Sequence, residues 1–125
     1  MFSVKIRDHI MIAHSLPDPA FGPAQQMHGA TYVVDAEFFS KTLNRVSIVI
    51  DMGLAHEVLK KALASLAYQN LDAMPAFEGK LTTTEFLAHH IHGEVAALVK
   101  DEFSGTLRIT LGESHVAWAS FEGEV

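Results

Sequence analysis

Histidines supply most of the side chains in this sequence that could bind a metal ion or move protons. The chain has 8 histidines and no cysteine among 125 residues. His14 and His28 each share the parity of the apolar positions in a predicted strand, so we expect both to face the interior. A histidine two positions after His28 would stand beside it, ready to share a metal ion, but that position is Ala30. The pair is therefore either hydrogen-bonded in the core or part of an incomplete metal site.

Three further histidines, His89, His90 and His92, lie close together in a segment with helical spacing. We interpret them as a solvated helix face, with a metal site at i and i+3 as the alternative. The absence of cysteine excludes disulfides, thiolate nucleophiles and cysteine-bound zinc. Glu113 lies in a predicted turn, where a carboxylate is ordinarily solvated, and Asp51 is expected to cap a helix.

The apolar pattern changes its period along the chain and so predicts both strands and helices. Alternation typical of strands occurs in four segments: 2–14, 27–39, 107–111 and 116–121. The Val- and Ile-rich run 45–51 is expected to continue or re-enter the sheet. Helical spacing covers 54–67 and 84–100, and Thr82 with Glu85 has capping-box spacing, although a cap one residue later also fits. Segments that contain proline and glycine are predicted loops: 15–26 and 70–80.

This order of elements predicts a single α+β domain, residues 1–125, with an antiparallel sheet and two helices on one face. The net charge is −6 with histidine neutral, and no basic patch stands out. We therefore expect neither nucleic acid nor an anionic membrane as a partner. No apolar run approaches the roughly 20 residues of a membrane span. The first residues lack a signal-peptide pattern, so we expect a cytoplasmic protein.

Six short motifs, in order along nearly the whole chain, resemble those of the 6-pyruvoyltetrahydropterin synthase and 6-carboxytetrahydropterin synthase family. None is specific alone, but their order and spacing together are specific. They are Ile12-Ala13-His14, Met27-His28-Gly29-Ala30-Thr31-Tyr32, Val49-Ile50-Asp51-Met52, Leu66-Ala67-Tyr68-Gln69-Asn70-Leu71-Asp72, Thr82-Thr83-Thr84-Glu85 and Glu113-Ser114.

The resemblance implies a fold and an activity. The fold is the tunnelling fold, ββααββ, in which subunits close a trimeric barrel and two trimers form a homohexamer. In the family, a zinc ion held by three histidines binds the side-chain hydroxyls of 7,8-dihydroneopterin triphosphate. A cysteine with an aspartate–histidine pair moves protons, and a glutamate anchors the pterin ring.

This sequence differs from the family at the positions that carry the reaction. His14 and His28 match two zinc ligands, but the third position is Ala30. The position of the catalytic cysteine is Ala24, and the aspartate and histidine correspond to Ala67 and Tyr68. An alanine cannot accept a proton, and a tyrosine is a poor base at neutral pH. We therefore expect no cofactor, zinc included, and no ordinary synthase reaction.

The part of the family's site that holds the ring is present. Glu113 matches the pterin anchor, and Thr83 and Thr84 would supply hydroxyls around the ring. We therefore interpret the chain as a divergent family member that binds a pterin-like small molecule. Three alternatives stay open: a binding or scaffold protein without catalysis, a different reaction that uses Tyr68, His28 and His115, or Asp72 in place of the lost aspartate.

Overall fold

Alternating apolar and polar residues build a four-stranded antiparallel sheet, and two amphipathic helices cover its apolar face. The computed structural model describes all residues, Met1–Val125. The main elements are β1 (Phe2–His14), β2 (His28–Ser40), α1 (Met52–Ala64), α2 (Thr84–Val99), β3 (Thr106–Ser114) and β4 (Ala117–Glu124). The strands lie in the order β1-β2-β3-β4, and each neighbouring pair is antiparallel. The predicted α+β, ββααββ fold is confirmed.

The β1–β2 ladder is continuous and sets which side chains face the helices. It runs from Phe2 opposite Ser40 to His14 opposite His28. On β2 the side chains of Tyr32, Val34, Ala36 and Phe38 are all fully buried beneath the helices. Each large apolar side chain removed from water contributes about 1.5–3 kcal/mol, so this register is strongly preferred over a one-residue slip.

Both helices begin at a side-chain cap. The Asp51 carboxylate accepts a hydrogen bond from the Leu54 amide at 2.8 Å, and Thr83 Oγ1 accepts one from the Phe86 amide at 3.2 Å. The cap of α2 is thus one residue after Thr82, the alternative left open by the sequence. Helix α2 packs on β3 and β4, whereas α1 packs on β1 and on α2.

The predicted strand at 45–51 is wrong. The Asn44 side chain accepts hydrogen bonds from the amides of Val46 and Ile48, which closes a turn, and Ser47 has a left-handed φ of 64°. The run is therefore irregular despite its β-branched residues. The loop 70–80 contains two short 3-10 helices, Leu71–Ala73 and Pro75–Phe77.

The interpretation of the α2 histidines as a solvated face is wrong for His92. This residue is buried, and its Nε2 donates to the Gly123 carbonyl oxygen at 3.1 Å. The rings of His89 and His92 lie 4.5 and 4.9 Å from the ring of Phe121. His92 is covered because β4 lies against α2, a long-range contact that helical periodicity does not report, whereas His89 stays exposed.

The outer face of the sheet is partly charged and partly apolar. Arg7 pairs with Asp35, and Arg108 pairs with Glu122, each at 2.7 Å. Trp118, expected in the core or at a subunit interface, is 61% exposed in the single chain. The core alternative is therefore excluded, and a place at a subunit interface stays a prediction. No helix is long and apolar enough to span a membrane.

Candidate functional site

Two histidines meet at one end of the sheet. His14 and His28 are the last pair of the β1–β2 ladder, and their ring centroids are 4.6 Å apart. His28 Nδ1 lies 2.8 Å from the Gln26 carbonyl oxygen, so this nitrogen carries a proton and donates. His14 Nδ1 lies 3.0 Å from Thr82 Oγ1. Each ring is therefore held by its Nδ1, and the Nε2 atoms are the nitrogens left for other partners.

The surroundings of His14 favour its neutral form. The residue is buried, and burial lowers its pKa below the ordinary value, as does the neighbouring His28. The carboxylates of Asp72 and Glu113 and the contact with Thr82 act in the opposite direction. The charge of Glu113 thus raises the pKa of His14, although the two residues lie on different strands.

Glu113 also acts on Tyr32, the buried tyrosine of β2. The β2–β3 ladder runs as far as Val33 opposite Gly112, so Tyr32 and Glu113 are the next residues on the two strands. Burial raises the pKa of Tyr32, the Thr84 hydroxyl lowers it, and the charges of Glu113 and Glu85 raise it. Glu113 itself is exposed, so its carboxylate is accessible to a ligand.

The three threonines before α2 have different surroundings. Thr82 is buried and bonded to His14, and Thr84 is buried at the start of the helix near Tyr32. Thr83 is half-buried, and its hydroxyl already accepts the capping bond. Thr84 and Glu113 are therefore the predicted ligand-binding residues that face the same part of the fold, and a ligand role for Thr83 stays a prediction.

The side chains described above form a cluster at this end of the sheet: His14, His28, Tyr32, Thr82, Thr84 and Glu113. Sequence reasoning missed two of them, Thr82 and Tyr32. In the sequence, Thr82 stands out for its capping-box spacing with Glu85, and Tyr32 only as the last residue of a motif that resembles the family. The parity of Tyr32 with His28 was a signal that both face the same side of β2. The contact between Thr82 and His14 had no signal, because it joins residues 68 positions apart.

The loop between β1 and β2 is held in place at both ends. Asp72 accepts hydrogen bonds from the amide and the hydroxyl of Ser15, and the Ala24 carbonyl oxygen accepts one from the Leu16 amide at 3.0 Å. Asp18, the only carboxylate of this loop, accepts a hydrogen bond from the Ala20 amide at 2.9 Å. A groove of about 480 Å³ opens beside the loop, lined by Ser15, Asp72 and Thr82 among others; Glu113 and Thr84 do not line it.

Ala67 and Tyr68 follow α1 at the free edge of β1. Ala67 packs partly against the core, whereas Tyr68 is 84% exposed and has a left-handed φ of 61°. The Tyr68 amide donates to the Met11 carbonyl oxygen at 2.7 Å. Within one chain, the Tyr68 side chain is thus outside the cluster around His14 and Glu113.

The histidine pair does not fit the zinc site that the family resemblance implies. Catalytic zinc ordinarily has three protein ligands, and no group of three or more His, Cys, Asp or Glu side chains in the chain could hold a metal ion. Ala30 has no donor atom and pairs with Ile12 on β1. His9 cannot replace it, because it is exposed on the opposite face of β1, roughly 16 Å along the strand from His14. His115 lies in the turn between β3 and β4.

Solved structures of 6-pyruvoyl tetrahydropterin synthases share this architecture. The Caenorhabditis elegans protein matches with a TM-score of 0.84 and 17% identity over 98% of this chain and 95% of that chain. A Plasmodium vivax protein in which a catalytic glutamate is replaced by alanine matches with a TM-score of 0.80 and 14% identity over 99% and 98%. An uncharacterized protein from Wolinella succinogenes matches with a TM-score of 0.70 and 12% identity over 96% and 97%. At these identities the likeness establishes the fold.

The sequence itself establishes the family. The family model of 6-pyruvoyl tetrahydropterin synthase matches residues 3–124. The chain therefore belongs to the 6-pyruvoyl tetrahydropterin synthase family, as its motifs indicated, and its sheet with two covering helices is the tunnelling fold. No curated protein sequence matches the chain significantly.

Proposed function

We propose that this protein binds a pterin-like molecule at the end of the sheet, with Glu113 as the anchor, and does not catalyse the ordinary synthase reaction. The observation that carries the proposal is the grouping of polar residues at one end of an otherwise apolar face. The charge of Glu113 acts on both His14 and Tyr32, and the Thr84 hydroxyl acts on Tyr32. These residues come from three strands and from the start of α2.

The chemistry of the ring fits such a carboxylate. A pterin presents an N2–H and an N3–H donor along one edge, and a carboxylate can accept both hydrogen bonds side by side. Hydrogen bonds to a charged acceptor contribute about 1.5–3 kcal/mol each. Glu113 is exposed and makes no hydrogen bond or ion pair within the chain, so a ligand meets no internal competitor.

The proposed absence of synthase activity rests on the residue types at the reacting positions. Ala24 and Ala67 lack any group that could move a proton, and Tyr68 lies outside the cluster within one chain. The 15–26 loop, which contains Ala24, has one carboxylate, Asp18. That side chain already caps the 3-10 helix Pro19–Gln25.

The remaining proposals concern zinc, assembly and location. With two histidines and Ala30, we expect zinc to be absent or to bind substoichiometrically. We propose a homohexamer, a dimer of trimers, because the outer edge of β4 is unpaired and Val116 and Trp118 are exposed near it. Joining such edges between subunits into a barrel would pair their free backbone N–H and C=O groups. A cytoplasmic location likewise stays a proposal.

Calorimetric titration of neopterin, biopterin and guanine into the native protein and two variants tests the anchor. Glu113→Gln keeps the shape but places an amide donor opposite a ring N–H, and should weaken binding by at least about tenfold, equivalent to roughly 1.4 kcal/mol. Glu57→Gln, an exposed substitution on α1, is the matched control and should bind as the native protein does. Binding of none of the three compounds by native protein, or equal binding by Glu113→Gln, would overturn the proposal.

A further inference from the structure

Tyr32 carries a buried hydroxyl that has no hydrogen-bond partner in the chain. The residue is 0% exposed, and its hydroxyl is the only buried side-chain polar atom in the protein without a partner. An unsatisfied buried polar group is destabilising, so such groups are rare in native proteins and usually have a specific explanation. A phenylalanine would fill the same core volume without this cost.

The surroundings of the hydroxyl limit what it can bond. The Thr84 hydroxyl interacts with Tyr32, yet the pair lies outside hydrogen-bond geometry in the free chain. Thr84, at the start of α2, is 8% exposed. The Glu113 side chain is exposed, whereas the Tyr32 hydroxyl has no access to solvent. Of the neighbours that act on the pKa of Tyr32, Thr84 carries a hydroxyl, whereas Glu113 and Glu85 carry carboxylates.

We propose that Tyr32 is a positioning residue that makes Thr84 a hydrogen-bond donor to the ligand. When the ligand binds, the tyrosine O–H donates to Thr84 Oγ1, which accepts it. The Thr84 proton is then directed away from Tyr32 and towards the ligand. A hydroxyl can otherwise rotate to donate or accept, so this bond converts an adaptable group into a fixed donor.

The inference deepens the proposed function and rests on it, because it names the residue that would orient the Thr84 hydroxyl towards the ring. Glu113 offers acceptor oxygens, and Thr84 then offers a donor near it. A ring with a 2-amino group, an N3–H and a 4-oxo group presents two donors followed by an acceptor. Pterins carry this edge, and guanine carries the equivalent one.

A double-mutant cycle on neopterin affinity separates this role from a structural one. Thr84→Val removes the donor and should weaken binding about tenfold, and Tyr32→Phe should weaken it about fivefold, the scale of one hydrogen bond. Because Tyr32 acts through Thr84, the double variant should bind no more weakly than Thr84→Val. Thr84→Ser keeps the hydroxyl and should preserve the effect of Tyr32→Phe. The thermal midpoint of Tyr32→Phe should not fall, since its hydroxyl has no partner in the free protein.

The outcomes distinguish this inference from the function on which it rests. Failure of native protein to bind neopterin, biopterin or guanine overturns the proposed function and the inference together. Native binding with an unchanged affinity for Tyr32→Phe overturns the inference alone. An equal effect of Tyr32→Phe in the native and Thr84→Val backgrounds also overturns it. So does a lowered thermal midpoint, because the hydroxyl would then have a structural partner.

Discussion

His14 and His28 face each other across the last pair of the β1–β2 ladder, with ring centroids 4.6 Å apart and each Nδ1 held by a separate hydrogen-bond acceptor or hydroxyl. This is how metal-binding histidines are ordinarily oriented. The pair nevertheless lacks a third ligand, because the neighbouring inward position on β2 is Ala30. The Nε2 atoms of His14 and His28 are therefore oriented as in a metal site, but the zinc site is incomplete.

A single substitution should raise zinc binding. In Ala30→His the new imidazole faces the same side of β2 as His28, so three nitrogens become available. We expect metal analysis of tag-free protein to give about one zinc per subunit for Ala30→His and far less for the native chain. Thr31→His adds a histidine to the opposite face of the same strand and should behave as the native protein does. One tightly held zinc in the native chain would contradict the expectation.

Synthase activity on 7,8-dihydroneopterin triphosphate should be undetectable. The positions of the proton-transfer groups are Ala24, Ala67 and Tyr68, and each such group is typically worth about 10²–10⁴-fold in rate. Losses within one catalytic unit do not simply add. Chromatographic separation of the products after prolonged incubation provides the measurement. Release of triphosphate or of a side-chain fragment at an ordinary rate would show that other residues catalyse the reaction.

Stability should fall on acidification, in part through His90. Burial lowers the pKa of this histidine, Glu94 raises it, and His89 lowers it. The centroid of its ring lies 4.9 Å from that of Phe77. The ordinary pKa of histidine, which applies in the unfolded chain, is 6.5. Below that pH, the unfolded chain binds more protons than the folded one, so the free energy of unfolding falls as pH decreases through the folded pKa. Denaturant titrations at about pH 7.5 and pH 5.5 should show a smaller loss for His90→Gln.

The control for this prediction is His115→Gln, which changes an exposed histidine in the turn between β3 and β4. This variant should lose as much stability as the native protein between the two pH values. An equal loss for His90→Gln and native protein would show that His90 does not contribute.

The assembly should be a homohexamer. Light scattering at micromolar concentration is expected to give six times the chain mass of 13.7 kDa. Trp118→Lys places a charge on an exposed apolar surface near the β4 edge and should shift the mass towards smaller species. A native monomer would contradict the proposed barrel, and a Trp118→Lys hexamer would show that this side chain lies outside the interfaces.

Local patterns predicted the strands and the inward orientation of His14 and His28, because alternation and burial coincide in β1 and β2. They failed at 45–51, where β-branched residues indicated a strand but the Asn44 side chain closes a turn. They also failed at His92 and at Thr82. The partners of these two residues, Gly123 and His14, lie far away in the sequence. The cluster could therefore be predicted only in part.

The most direct test of the central proposal is a crystal structure of the native protein with neopterin. We expect the amino and N3–H edge of the ring to lie on the Glu113 carboxylate, at hydrogen-bond distances of about 2.7–2.9 Å. The ring carbonyl oxygen should lie beside the Thr84 hydroxyl. Neopterin bound elsewhere, or the absence of neopterin at a saturating concentration, would contradict the account of this protein as a pterin-binding member of its family.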